Sequence, residues 1–231
     1  KLLANQANAN KATNQVVLLP IMRAFLAKQT FMFEGKPHYL SDSATDKIMH
    51  ELNPAMNLGL QLANEKLYNA MLYGVTVTEF IDGKKTSQTI ALIDWNNIGN
   101  NSFHVTEELL VLNSEGTNSR RPDIVCFVNG LPLAVIEAKR PDSSREGQST
   151  NAQAVSQHIR NQKPKFIPNL FAYSQLLLAV NGHDGLYGTC GTPENFWAKW
   201  VEEEISEPEF ARLKNQALSD EQVDSLFDHR P

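Results

Sequence analysis

Arg120-Arg121-Pro122-Asp123-Ile124-Val125-Cys126-Phe127-Val128-Asn129-Gly130-Leu131-Pro132-Leu133-Ala134-Val135-Ile136-Glu137-Ala138-Lys139 holds two apolar runs around Asn-Gly, a strong signal for a β-hairpin. The open end of that hairpin carries Asp123 on one strand and Glu137 with Lys139 on the other. Two carboxylates and an amine are the groups needed to hold a hard divalent cation and hydrolyse a phosphodiester. Both runs are apolar at nearly every position, which suits central strands rather than edge strands. Charges at the end of a buried strand are costly unless they are paired or ligate a metal. The bland alternative is a surface Glu-x-Lys pair with Asp123 as a turn residue after Pro122. It fits half-exposed strands better than these.

Loop length decides whether the groups can meet. Side chains alternate along a strand, so Glu137 and Lys139 share a face. A two-residue Asn129-Gly130 turn pairs Asp123 with Ile136 and points Asp123 away from Glu137. A three-residue loop, Val128-Asn129-Gly130 with Gly130 left-handed, pairs Phe127 with Leu131 and sets Asp123 diagonally beside Glu137. The spacing therefore predicts the three-residue loop or an equivalent bulge. In that geometry Asp123 and Glu137 hold Mg²⁺, with the carbonyl of Ala138 as a further ligand. Lys139 positions the attacking water or neutralises phosphate oxygens.

Pro-Asp, a hairpin and Glu-x-Lys, in that order, resemble the PD-(D/E)xK nuclease superfamily. Within it, Arg120-Arg121-Pro122-Asp123-Ile124-Val125, Val128-Asn129-Gly130-Leu131-Pro132-Leu133 and Ile136-Glu137-Ala138-Lys139 are similar to the nuclease domain of type I restriction enzyme R (motor and restriction) subunits. The run Ile167-Pro168-Asn169-Leu170-Phe171-Ala172-Tyr173-Ser174-Gln175-Leu176 resembles the segment after the catalytic helix of those subunits. Leu92-Ile93-Asp94-Trp95 and Asn100-Asn101-Ser102-Phe103 do so less specifically. The similarity covers about residues 55 to 200.

This resemblance implies an α/β, restriction-endonuclease-like mixed sheet with a central antiparallel hairpin flanked by helices. An N-terminal helical region would span 1–74, a nuclease core 75–200, and an acidic linker 201–231 would lead to a helicase motor. It further implies a Mg²⁺-dependent endodeoxyribonuclease with Asp123, Glu137 and Lys139 as catalytic residues and double-stranded DNA as substrate. Methyltransferase (M) and specificity (S) subunits would be partners, and ATP would enter only through the motor. The family often carries Gln-x-x-x-Tyr on the helix after the lysine strand. Gln157 matches the glutamine, as a fourth catalytic residue that orients DNA or the metal-bound water, while Asn161 stands where the tyrosine would be. A solvated helix glutamine is the plain alternative for Gln157. An upstream helix of the superfamily often adds another glutamate, and Glu51, Glu65, Glu107 and Glu108 are all available. Two other readings remain open: a repair or junction-resolving nuclease of the superfamily, or a non-cutting scaffold of the same fold that binds DNA or partner subunits.

Bulk properties narrow the class. At 231 residues and 42% hydrophobic content the chain can bury one good core. A net charge of −5 argues against a free-standing DNA binder with a broad basic surface. It favours a catalytic module to which attached domains or subunits deliver DNA. No apolar run reaches membrane-spanning length and no secretory signal stands at Lys1. Cys126 and Cys190 form neither a disulfide framework nor zinc spacing, which fits a reducing cytoplasm. Gly83-Lys84-Lys85-Thr86 reads as a turn, and no Gly-x-x-x-x-Gly-Lys-Ser/Thr occurs, so these residues cannot drive ATP-dependent translocation. The chain accordingly reads as an amino-terminal fragment of such a subunit.

Periodicity supplies the rest. Residues 1–15 look like a poorly ordered start or a tail helix. Residues 16–28 are apolar at helical spacing, interrupted by Pro20, and 41–52 and 57–73 read as helices. Residues 75–81 and 86–93 form a second hairpin, and 103–112 the first strand of the catalytic sheet. A helix over 148–162 should pack on the sheet through Ala152, Val155 and Ile159. Residues 176–180 read as a buried strand, followed by a turn whose His183-Asp184 is solvated rather than a ligand pair. Phe196, Trp197 and Trp200 fall on one helical face and read as core. Ser219-x-x-Gln222 suggests a capping box for a last short helix.

Overall fold

The computed structural model describes residues 15–113, 115–140, 150–181, 184–201 and 208. The chain divides into a unit over 1–199 and a second over 200–231. The acidic stretch after Val201 and the helix anticipated from Ser219 lie outside the described residues, as do 1–14, Gln148 and His183.

Helix α1 (Leu19–Leu26) begins with Pro20 in its first turn, where a missing N–H and a fixed φ are tolerated. Its Met22, Phe25 and Leu26 are buried at three- and four-residue spacing. Strands β1 (Thr30–Phe33) and β2 (Lys36–Tyr39) follow, joined by Glu34-Gly35, both at positive φ. The 1–74 stretch thus contains a hairpin as well as helices. Lys36-Pro37-His38 hid it, because a proline demotes a strand reading. Helix α2 (Asp42–Glu51) is capped by Ser41, whose hydroxyl accepts the Ala44 N–H. Buried Glu79 accepts the N–H of Ser41 itself. Helix α3 (Leu60–Tyr73) leads into the hairpin β3 (Val75–Ile81) and β4 (Lys84–Ile90). The turn Asp82-Gly83 is left-handed at both residues, so Gly83 belongs to a hairpin turn and Lys84 opens β4.

The main sheet is built from β5 (Phe103–Glu107), β8 (Ile124–Val128), β9 (Leu131–Ala138), β10 (Leu176–Val180), β11 (Gly185–Gly188) and β12 (Ala198–Lys199). Between β5 and β8 a short side ladder joins β6 (Val111–Leu112) to β7 (Ser119–Arg120). Strand β5 stops at Glu107 because Glu108 turns left-handed (φ 48°), so the strand anticipated to Leu112 breaks in two. The sheet order is β12-β11-β10-β9-β8-β5. Only β9–β10 is parallel, and that pairing needs the crossover through α4 (Thr150–Asn161) and α5 (Pro168–Phe171). This is a mixed α/β sheet with helices packed against it.

The hairpin that carries Asp123 and Glu137 takes the equivalent bulge rather than the three-residue loop. Its turn has two residues, Asn129 (φ 51°) and Gly130 (φ 88°), and Val128 pairs with Leu131. The correction of register sits on the strand instead: Phe127 pairs with Pro132 but Cys126 with Ala134, leaving Leu133 as the extra residue of a bulge. Asn-Gly satisfies the tight two-residue turn outright, so the expected loop residue moved into β9. Beyond the bulge Ile124 faces Ile136, which puts Asp123 and Glu137 on the same side.

The turn is buried rather than displayed. Asn129 is fully enclosed, donating to Leu92 O and Asn101 Oδ1 and accepting from the Ser102 N–H. Gly130 O accepts the N–H of Leu18, and a Cβ on Gly130 would lie 2.6 Å from Leu18 O. The resembling segments around 92–103 are therefore the socket of the hairpin turn.

Candidate active site

At the opposite end of the hairpin, Val125, Phe127, Val135, Leu177 and Ala179 form a fully buried face. Glu137 continues that face and is itself 0% exposed. Asp123, just before β8, holds its place by two main-chain bonds. Its carbonyl accepts the Glu108 N–H and its Oδ2 accepts the Ala138 N–H, each at 2.8 Å. Lys139 extends the parallel pairing by one bond, N–H to Val180 O. Its Nζ lies 3.7 Å from Asp123 Oδ2 and 3.7 Å from Glu137 Oε2. The three groups picked out by the sequence meet at one point.

Helix α4 closes the site from behind. Gln157 donates its side-chain amide to Glu137 Oε2. Glu137 Oε1 is buried with no hydrogen-bond partner. Burial, and then the charge of Asp123, push the Glu137 carboxyl up to about 8, and Lys139 offsets only part of this. An enclosed carboxylate with one free oxygen, beside a second carboxylate, suits a hard cation that keeps several waters and takes one or two carboxylates. Among the described residues no third His, Cys, Asp or Glu joins them in a three-ligand cluster. Of the glutamates available upstream, Glu51 pairs with Lys66 and Glu108 with Arg121, while Glu65 is exposed and Glu107 is exposed at the end of β5, opposite Ile124.

The buried face of α4 differs from the one periodicity selected. Val155 is buried, but Ala152 and Ile159 are only partly so. Asn151, Ala154, His158 and Asn161 complete the face instead. Asn161, at the position of the family's tyrosine, accepts the Ile167 N–H through its carbonyl. His158 escaped sequence reading because a hydropathy pattern assigns polar side chains to the solvent side. No pattern within the helix marks it, because its partners, Leu178 and Trp197, lie far along the chain. The anticipated helix carrying Phe196, Trp197 and Trp200 is absent. A short 3₁₀ turn and β12 occupy that stretch, with Trp197 buried and Phe196 exposed.

Residues 2–196 match the family model of the type I restriction enzyme R protein N terminus. The chain belongs to this family. It is 30% identical over 163 residues to the putative type I restriction enzyme MjaIXP endonuclease subunit of Methanocaldococcus jannaschii, which covers 70% of this chain and 15% of that protein. It is equally 30% identical over 161 residues to the type I restriction enzyme HindI endonuclease subunit of Haemophilus influenzae, again 70% of this chain and 15% of the relative. The EcoprrI endonuclease subunit of Escherichia coli is 34% identical over 113 residues, 48% of this chain and 33% of that one. This R-protein N-terminal chain thus spans about 15% of the length of the first two relatives. No helix among its described residues is long and apolar enough to cross a membrane.

Proposed function

We propose that this chain is the metal-dependent nuclease domain of a type I restriction R subunit, hydrolysing phosphodiesters in double-stranded DNA with a restriction-endonuclease-like fold. The observation that carries this reading is the meeting of Asp123, Glu137 and Lys139 at the end of the bulged hairpin, with Glu137 Oε1 left free. Asp123, Glu137 and the Ala138 carbonyl would hold Mg²⁺. When bound, the ion would lower the pKa of a water and stabilise charge gathering on the phosphate.

The protein's own groups do the remaining work. The Ala138 N–H fixes Oδ2 of Asp123 and so sets the orientation of its carboxylate. Gln157 holds Glu137 in its rotamer and supports its ionised form. Lys139, a point charge between the two carboxylates, orients the attacking water or neutralises the non-bridging phosphate oxygens. The full subunit would act in the cytoplasm with M and S subunits and consume ATP through motor domains beyond these residues.

Calorimetry with Mn²⁺ and a plasmid-nicking assay with Mg²⁺ test the reading. One strong Mn²⁺ site lost in Asp123→Ala and Glu137→Ala, with nicking lost in Lys139→Ala, is the expected result. Mn²⁺ binding that survives Glu137→Ala rejects the ligand assignment.

A further inference from the structure

We propose that His158 is a positioning residue for this site, fixing α4 against β10 at the setting that brings Gln157 to Glu137. This rests on the reading of Asp123 and Glu137 as the metal-binding pair. The His158 ring is fully buried, and its Nε2 lies 2.9 Å from Leu178 O. A carbonyl can only accept, so Nε2 carries the proton. Leu178 is the β10 partner of Ile136, the residue before Glu137. The bond therefore ties α4 to the sheet one residue away from the site's buried carboxylate.

Two aromatic rings hold the imidazole in place. Trp197 stacks on it with centroids 5.3 Å apart and planes at 29°. Phe171 meets it edge-on, at 6.1 Å and 90°. Trp197 is itself locked: its Nε1–H donates to Thr192 O, and its indole covers Gly188 so closely that a Cβ there would come within 2.9 Å. Successive helix residues stand about 100° apart, so a ring clamped toward β10 sets the direction of Gln157. A residue chosen only to fill this space would be aliphatic. A buried imidazole bonded through one nitrogen, with Nδ1 unpartnered, costs more than a leucine. Its return is a directional bond to one chosen carbonyl.

The test uses the ¹⁵N-labelled 231-residue chain, with the Gln157 side-chain amide assigned by its loss in Gln157→Ala. In the wild type that resonance should carry the displacement of an amide bonded to the Glu137 carboxyl group. His158→Phe keeps a ring but loses the donor, and should return the resonance to the free-amide position. His158→Gln offers a donor at similar reach and should restore part of the displacement. Mn²⁺ affinity should fall about tenfold in His158→Phe, with no further fall when Gln157 is already alanine. An unmoved Gln157 resonance in folded His158→Phe, or losses that simply add in the double variant, overturns the proposal. If His158→Phe does not fold, Trp197→Leu frees the same ring from the other side and must give the same result. The resonance reports on His158 whether or not metal binds. A chain that takes up no Mn²⁺ therefore fails the nuclease reading and not this one.

Discussion

Gln157 donates its amide to one oxygen of Glu137, while the other oxygen is enclosed without a partner. With its carboxyl pushed up to about 8, Glu137 is mostly protonated at neutral pH in the metal-free protein. A cation must displace that proton, because only the carboxylate ligates. Mn²⁺ affinity should therefore climb with pH to about 8 and level off above it. Calorimetry at pH 7 in buffers of different ionisation enthalpy should register close to one proton released per ion. The stability of the metal-free chain runs the other way. Its folded pKa lies above the unfolded one, so the contribution is complete below about 4.5 and is lost as pH rises toward 8. Denaturant midpoints across that window check the sign.

Lys139 stands 3.7 Å from both carboxylates without closing on either. Lys139→Met should abolish nicking while Mn²⁺ binding persists at pH 8.5, since the residue repels a cation and is not a ligand. Loss of both together would make Lys139 a structural counter-charge instead.

Between Leu131 and Ile136, Leu133 is the one residue of β9 without a partner on β8, so deleting it should close the ladder with Phe127 still opposite Pro132, Cys126 opposite Ala134 and Ile124 opposite Ile136. Asp123 and Glu137 then keep a common face, because opposed residues on paired strands point the same way. The deletion should therefore retain Mn²⁺ binding, read by calorimetry. Loss of binding in a folded deletion variant would show that the bulge does more than correct the count.

The buried turn should be the most sensitive part of the hairpin to substitution. Asn129→Ala strands Leu92 O and the Ser102 N–H and places alanine at positive φ, a loss of about 2–4 kcal/mol. Gly130→Ala drives a methyl against Leu18 O at φ 88° and should cost about 2 kcal/mol or more. Urea titration of both variants checks these values, with nicking per folded molecule unchanged.

The elements nearest the site were legible because their residues leave little choice. Ile124 to Val128 and Leu176 to Val180 are uninterrupted β-rich runs, and Asn129-Gly130 declares its turn. The requirement that Asp123 and Glu137 share a face was also legible, and it forced an extra residue somewhere. Its address was not: a bulge at Leu133 leaves no mark in composition, because Pro132, Leu133 and Ala134 suit the strand with or without it. His158 and Asn161 were invisible for a related reason. Their burial follows from partners far along the chain, Leu178 and Trp197 for the histidine, which no local pattern encodes. The hairpin at 30–39 hid behind Pro37, and the segment after Gly188 is shaped by one indole lying on one glycine.

Leu133 has a consequence for how this domain can vary. The even-or-odd count between the two acids is corrected within a strand, so the turn need not supply it. Asn129 and Gly130 can then remain committed to anchoring, and the far end to chemistry. Losing one residue from β9 would make the bulge unnecessary, while losing two would leave the count still in need of it, which makes the domain's tolerance of insertions and deletions a matter of arithmetic before it is one of packing.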